Sequence, residues 1–370
     1  MKDAQSLPET GPKFICGRHG GPSLKKQLRS CNFSAFAKEV KERVAGAARL
    51  YAAVRDPRIK AAERVVLFHP QLLGFRLCMD LLRARAKPTW MFVLESSFFC
   101  LRSYNHVPGE NGSCLRCLGG DWANIERYGC QSFPLPQENN REFLEFLRRQ
   151  AALGSVRFMA QNQANVDLLR QHFGPDAYVK KVGLWVDFDD LERLPERDLD
   201  SPPDYDVVFH NSAVPAKGAA WALRLAAASP GVRFLFPFEK ESCDELGVAQ
   251  PPNADFRPMT WETGLRDQVR RATVTLCPSL WSATIEGALI KSLAFARRAG
   301  VVDIPDAYSG ELNPELALKL PQKPEDAAAA LQAYLDAPAP LSDQARAAWA
   351  KSFQDENKGL LARILATLEE

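Results

Sequence analysis

Residues 64–95 read RVVLFHPQLLGFRLCMDLLRARAKPTWMFVLE, and this stretch decides the fold class. Residues 64–69 and 89–95 are continuous apolar, β-branched or aromatic runs, the pattern of strands buried on both faces. Residues 72–86 between them read as a helix. Strand, helix, strand in succession makes a parallel βαβ unit, since parallel neighbours need a crossover rather than a tight turn. The chain is therefore α/β.

The same alternation extends in both directions. Upstream, residues 13–16 form a short strand, a glycine cluster follows at Gly17, Gly20 and Gly21, and residues 24–51 carry apolar side chains at helical spacing (Phe33, Phe36, Val40, Val44, Ala47, Leu50). Downstream come a helix at 137–150, a strand at 155–160, a helix at 162–172 and a strand at 179–186. At 187–206 Asp, Glu and Pro replace apolar residues (Pro195, Pro202, Pro203), as expected of an interdomain linker. The pattern then restarts, with strands at 207–210, 233–236, 254–257, 273–277 and 300–302. Helices are expected at 218–228, 263–271, 286–295, 324–336 and 342–368. The expected organisation is a first domain over 1–186, a linker over 187–206, a second domain over 207–340, and a C-terminal helix over 341–370 that returns to the first domain.

Length and composition agree with two globular domains: 370 residues, 46% hydrophobic and 25% charged, against a prior of roughly 150 residues per domain. The net charge of +2 excludes the broad positive field of a duplex nucleic-acid binder. No run reaches the roughly 18 apolar residues of a membrane span, and residues 1–10 are polar rather than a signal peptide. The expectation is a cytoplasmic protein with at most peripheral membrane contact.

Nine cysteines, an odd count, argue against a secreted disulfide framework. Cys100, Cys114, Cys117 and Cys130 fall in an aperiodic insertion over 100–136 with spacing C-x13-C-x2-C-x12-C. One C-x2-C pair with two outlying cysteines can supply four thiolates to structural zinc or an iron–sulfur cluster; free thiols are the alternative.

A ligand site is expected where loops leave the carboxyl ends of parallel strands and enter helices, because free backbone N–H groups and the positive helix end meet there. Residues 210–218 (HNSAVPAKG) form such a loop: Asn211 and Ser212 offer polar groups, Lys217 a point charge for a diphosphate, and Gly218 close backbone approach. The plain alternative is a solvated lysine before an ordinary turn. Residues 277–302 (CPSLWSATIEGALIKSLAFARRAGVV) hold a second loop, with Glu286 as its carboxylate. Its own plain alternative is a first-turn glutamate stabilised by the helix dipole. Glu95, with Ser96 and Ser97, ends a strand of the first half. His69 and His106 read as structural groups, and Trp261 and Trp281 as either core or stacking residues.

These two motifs, HNSAVPAKGAAWALRLAAASPGVRFLFP (210–237) and CPSLWSATIEGALIKSLAFARRAGVV, resemble the donor-binding domain of GT-B glycosyltransferases, especially the retaining family that builds bacterial surface polysaccharides and lipopolysaccharides. KKVGLWVD (180–187) resembles the segment closing that family's first domain, GRHGGP (17–22) its glycine loop facing the donor diphosphate, and SSFFC…GSCLRCLG…YGCQSFP a cysteine-bearing insertion of some members. The resemblance implies two Rossmann-like parallel-sheet domains facing across a cleft, a nucleotide-sugar co-substrate, a glycan or lipid-linked glycan acceptor, and no catalytic metal. It implies donor contacts from Gly20, Gly21, Asn211, Ser212, Lys217, Gly218, Ser282, Glu286 and Lys291, with Glu286 and Glu95 in catalytic roles. The sequence departs from the family's pair of glutamates about eight positions apart: Ser282 stands for the first and Lys291 near the second. Rival readings are a nucleotide-sugar epimerase of the same fold, a metal-bearing interaction protein with a degenerate GT-B fold, and an iron–sulfur redox protein.

Overall fold

The computed structural model describes residues 55–132, 139–184, 189–197, 199 and 201–369, together with 41, 45, 46, 48, 51 and 52. The strand expected at 13–16 and the glycine loop with Gly20 and Gly21 lie outside the described residues, as does most of the helix at 24–51. Positions 41, 45, 46, 48 and 51 of that helix are helical.

Two parallel sheets form. In the first, the order is β1 (Val66–Phe68), β2 (Thr89–Phe92), β3 (Val156–Ala160) and β4 (Val179–Lys181). The helix expected at 72–86 is divided at Gly74 into Pro70–Leu73 and α1 (Phe75–Ala84). In α1 the residues Phe75, Cys78, Met79, Leu81 and Leu82 are buried, and Phe75 stacks on Phe143 of α2 (Asn140–Ala152), ring centroids 4.5 Å apart.

The second sheet has six strands: β5 (Val207–Phe209), β6 (Phe234–Phe236), β7 (Ala254–Phe256), β8 (Val274–Leu276), β9 (Ala299–Val302) and β10 (Ala317–Leu320). Their order is β10-β9-β8-β5-β6-β7, with every pairing parallel. Numbered from β5 this is 3-2-1-4-5-6, the doubly wound order in which the connection reverses direction between the first and fourth strands. That reversal lies between β5 and β8. Strand alternation splits the core into two layers: Val207 and Phe209 face Trp221 and Leu225, whereas Val208 faces Leu289, Leu293 and Trp349.

The edge strand β10 is an addition to the expected strands: its four residues ALKL are too few to show a pattern, with Ala317 and Leu320 buried and the two between them half-buried. The helix expected at 342–368 is two helices, Asp343–Asn357 and Leu360–Glu369. Gly359 between them has φ +77°, a left-handed conformation that costs other residues strain. Asn357 accepts from the backbone N–H of Leu184 at 2.8 Å, and Arg363 donates to the Val182 carbonyl at 2.8 Å.

The chain condenses into two compact units, Met1–Phe92 with Leu135–Arg157, and Val93–Pro134 with Phe158–Glu370. The cysteine-bearing stretch thus shares a unit with the six-stranded sheet. Among the described residues no helix is long and apolar enough to cross a membrane.

Candidate functional site

At the reversal between β5 and β8, the loop after each strand is fixed against the other. His210 N–H donates to the Leu276 carbonyl at 2.9 Å, Leu280 N–H to the Ala216 carbonyl at 2.9 Å, and Asn211 Nδ2 to Ser279 Oγ at 3.3 Å. Gly218 has φ +78°, and a Cβ there would lie 1.9 Å from the Pro278 carbonyl oxygen, so only glycine allows the two loops to close. The Ser212 backbone N–H donates to Asn211 Oδ1 at 3.0 Å.

Lys217 ends the first loop and Glu286 ends the second, at the N-cap of α3 (Gly287–Phe295). The two form an ion pair whose side chains are 16% and 10% exposed. Glu286 stands at the positive end of its helix and, among the described residues, makes no side-chain capping bond to it. In this structure each of the two charges engages the other. The rings of Tyr104 and Trp281 flank the ammonium, each centroid 5.0 Å from Nζ. Trp281 is buried, and among the described residues its indole N–H has no acceptor.

Behind this pair, His210 at the end of β5 is held through Nδ1 to Ser292 Oγ at 2.8 Å, and Ser292 Oγ also meets Cys277 Sγ at 3.1 Å. His210 stacks on Trp261, centroids 5.3 Å apart, and Lys291 Nζ lies 4.6 Å from the same indole. Burial first, and the Lys291 charge second, push the His210 imidazole down to about 4, so it is neutral at physiological pH.

Ser282, where the resemblance expects a glutamate, is buried and hydrogen-bonded rather than open to a ligand. Its hydroxyl donates to the carboxylate of Asp306, and Ser113 donates to that carboxylate at 2.8 Å. Glu286 is thus not alone: Asp306 brings a second carboxylate to the turn. Asn105, fully buried, donates to Ser282 Oγ at 2.7 Å and accepts from Ser282 N–H at 3.1 Å. Glu95 accepts from Ser97 at 3.2 Å, and burial raises its carboxyl above the usual range. It lies next to Leu94, whose carbonyl accepts from Thr284 at 3.3 Å, so the chain at Glu95 abuts the turn that leads to Glu286.

Tyr104, Asn105 and Asp306 carry no motif, and sequence reasoning missed them. The signal that was available, tyrosine and asparagine inside an otherwise aperiodic cysteine insertion, pointed to the thiols instead.

Cys100, Cys114, Cys117 and Cys130 line one cavity of about 10 Å³, with His106, Arg116 and Tyr128 among the other walls. Burial, followed by the neighbouring thiols, pushes Cys117 up to about 11 and raises Cys130. Among the described residues, however, no three His, Cys, Asp or Glu side chains stand together as a ready metal-binding group. The seven cysteines of the described residues are all free thiols.

No protein-family profile matches the chain, and no curated protein matches it in sequence. Solved structures do. HepE of Anabaena, in complex with UDP and glucose, is 11% identical with a TM-score of 0.53, covering 87% of this chain and 81% of its own. A UDP-forming α,α-trehalose-phosphate synthase of Burkholderia vietnamiensis is 12% identical with a TM-score of 0.52, over 89% and 76%. TarM, known from S. aureus, is 10% identical with a TM-score of 0.52 over 88% of this chain, which spans only 58% of TarM. At such identities the likeness is one of fold. Two parallel-sheet α/β domains with these structural neighbours make the GT-B fold.

Proposed function

We propose that this GT-B chain is a glycosyltransferase that moves a sugar from a nucleotide-sugar to a hydroxyl of a glycan, with retention of anomeric configuration. The observation that carries the reading is the Lys217–Glu286 pair at the strand-order reversal of a 3-2-1-4-5-6 sheet, where such sheets bind ligands. The UDP complex of the HepE neighbour supports a uridine nucleotide as the first donor to try. A surface polysaccharide or lipid-linked glycan is the acceptor class the resemblance suggests.

In this reading the donor diphosphate takes the Lys217 ammonium, and Glu286 is released to accept from sugar or ribose hydroxyls. Gly218 and the start of α3 bring backbone N–H groups to the same place. Asn211, Ser212 and Lys291 complete the donor contacts, with Gly20 and Gly21 proposed opposite. The bond from the anomeric carbon to the diphosphate oxygen breaks, and the acceptor oxygen takes its place. Glu95, its carboxyl raised by burial, receives the acceptor proton. Charge on the departing diphosphate is met by Lys217 and helix ends, with no catalytic metal. The proposed domains remain 1–186 and 207–340. The free thiols fit a reducing compartment, the cytoplasm.

A thermal-shift panel of nucleoside diphosphates and nucleotide-sugars tests the site, since a ligand that binds only the folded state raises its stability. Product analysis then separates transfer to glycan from the epimerase reading, which would alter the donor sugar alone. In Glu95→Gln we expect turnover to fall while diphosphate affinity holds; normal turnover removes Glu95 from the chemistry.

A structural zinc or iron–sulfur cluster held by Cys100, Cys114, Cys117 and Cys130 is a second proposal, supported by the four thiols sharing one cavity. Among the described residues no three such side chains stand together as a ready ligand group, and no step above is routed through the metal.

A further inference from the structure

The cysteine-bearing stretch is joined to the phosphate end of the proposed site by two consecutive residues. Tyr104 stands against Trp281 with ring centroids 4.7 Å apart, and both rings flank Lys217. Asn105 uses its whole side chain. Its Oδ1 accepts from Ser96 Oγ at 2.8 Å and from Ser282 N–H; its Nδ2 donates to Ser282 Oγ and to the Cys114 carbonyl at 3.1 Å. Its backbone carbonyl accepts from Cys114 N–H at 2.7 Å. One residue therefore clamps the thiol cluster on one side and the turn carrying Trp281 and Ser282 on the other. Asp306 repeats the clamp by accepting from both Ser113 and Ser282.

We propose that Tyr104 and Asn105 are positioning residues of the diphosphate site, so that the thiol stretch forms one of its walls. The inference rests on the reading of Lys217 as the phosphate-binding cation. An ammonium between two aromatic faces is held in place by the ring quadrupoles and shielded from water, which strengthens its attraction for a phosphate. The indole N–H of Trp281, buried and without an acceptor among the described residues, is a second donor beside the same spot. Asn105 fixes the backbone that carries this indole. Because coupling between two sites is reciprocal, whatever displaces Cys114 from Asn105 also changes affinity at Lys217.

The test is calorimetric titration of the full chain with uridine, adenosine and guanosine diphosphates, and with the matching nucleosides, in Tyr104→Phe, Tyr104→Leu and Asn105→Ala. Phenylalanine keeps the ring and should stay within about twofold of the parent; leucine should weaken diphosphate binding by about 5- to 20-fold. Asn105→Ala should weaken the diphosphate too, while nucleoside affinity stays at the parental level. Should Asn105→Ala fail to fold, the two Tyr104 variants decide. Parental diphosphate affinity in Tyr104→Leu, or equal losses for nucleoside and diphosphate, overturns the inference and leaves the site reading standing. No diphosphate binding by the parent brings down both.

Discussion

Lys217 and Glu286 should behave as one unit in stability and as opponents in binding. At an effective dielectric near 20, two unit charges about 4 Å apart attract by about 4 kcal/mol before desolvation is charged against them. The side chains here are 16% and 10% exposed, so part of that gain is cancelled and removal of one partner strands the other in a poor solvent. Lys217→Met should therefore cost about 2 kcal/mol of stability, and Glu286→Gln rather less, because the ammonium keeps its two rings. The double variant should recover about 1–2 kcal/mol relative to the sum of the singles. Binding of uridine diphosphate, which has no sugar for Glu286 to hold, should go the other way. Lys217→Met loses it in both backgrounds, whereas Glu286→Gln frees the ammonium and tightens it by about 1 kcal/mol, roughly fivefold. With a complete nucleotide-sugar the same Glu286→Gln should turn over slowly, because its carboxylate is missing as the glycosidic bond breaks. Urea unfolding of the four proteins and calorimetry with uridine diphosphate supply the numbers. Additive stabilities, together with unchanged affinity in Glu286→Gln, would refute this coupling of the pair.

Gly218→Ala should cost about 3 kcal/mol or more, seen as a lowered melting temperature, because its Cβ meets the Pro278 carbonyl at 1.9 Å in a left-handed backbone; a variant as stable as the parent would show that the loops can part. His210 titrates near 4 when folded against 6.5 when free, so between these values the unfolded chain binds the extra proton and stability falls as pH drops. That loss approaches about 3 kcal/mol at the lower end, and is absent above 6.5. His210→Gln should flatten the profile over this window, and an unchanged slope would point to other groups. Protein purified without added metal should carry zinc or iron by elemental analysis if the cysteine cavity is a metal site, and Cys114→Ser with Cys117→Ser should then melt earlier; a metal-free protein of parental stability ends that proposal.

β2 was legible because its continuous apolar run suits a strand covered on both faces, and it is buried throughout, whereas in β1 Leu67 is buried but Phe68 is exposed. The positions of Lys217, Gly218 and Glu286 followed from strand-to-helix turns, whose chemistry is local. Their pairing did not, since a contact across 69 residues leaves no mark on either motif. Tyr104 and Asn105 were illegible for a related reason: an aperiodic loop takes its shape from its partners, and the Asn105–Ser282 bond spans 177 residues. Helix ends were displaced where glycine intervened, at Gly74 and Gly359.

The fully engaged amide of Asn105 has a consequence for how related sequences can diverge. It gives two donor bonds and takes two acceptor bonds, and Ser282 stands at the other end of one of each. A glutamate at 282 would oppose a carboxylate to Asp306 and remove the hydroxyl that mediates between them. Drift at 282 is thus tolerable only with simultaneous change at 105 and 306. Across homologues these three positions should covary as a block, and sequences lacking the four cysteines should be those in which the block has been rewritten.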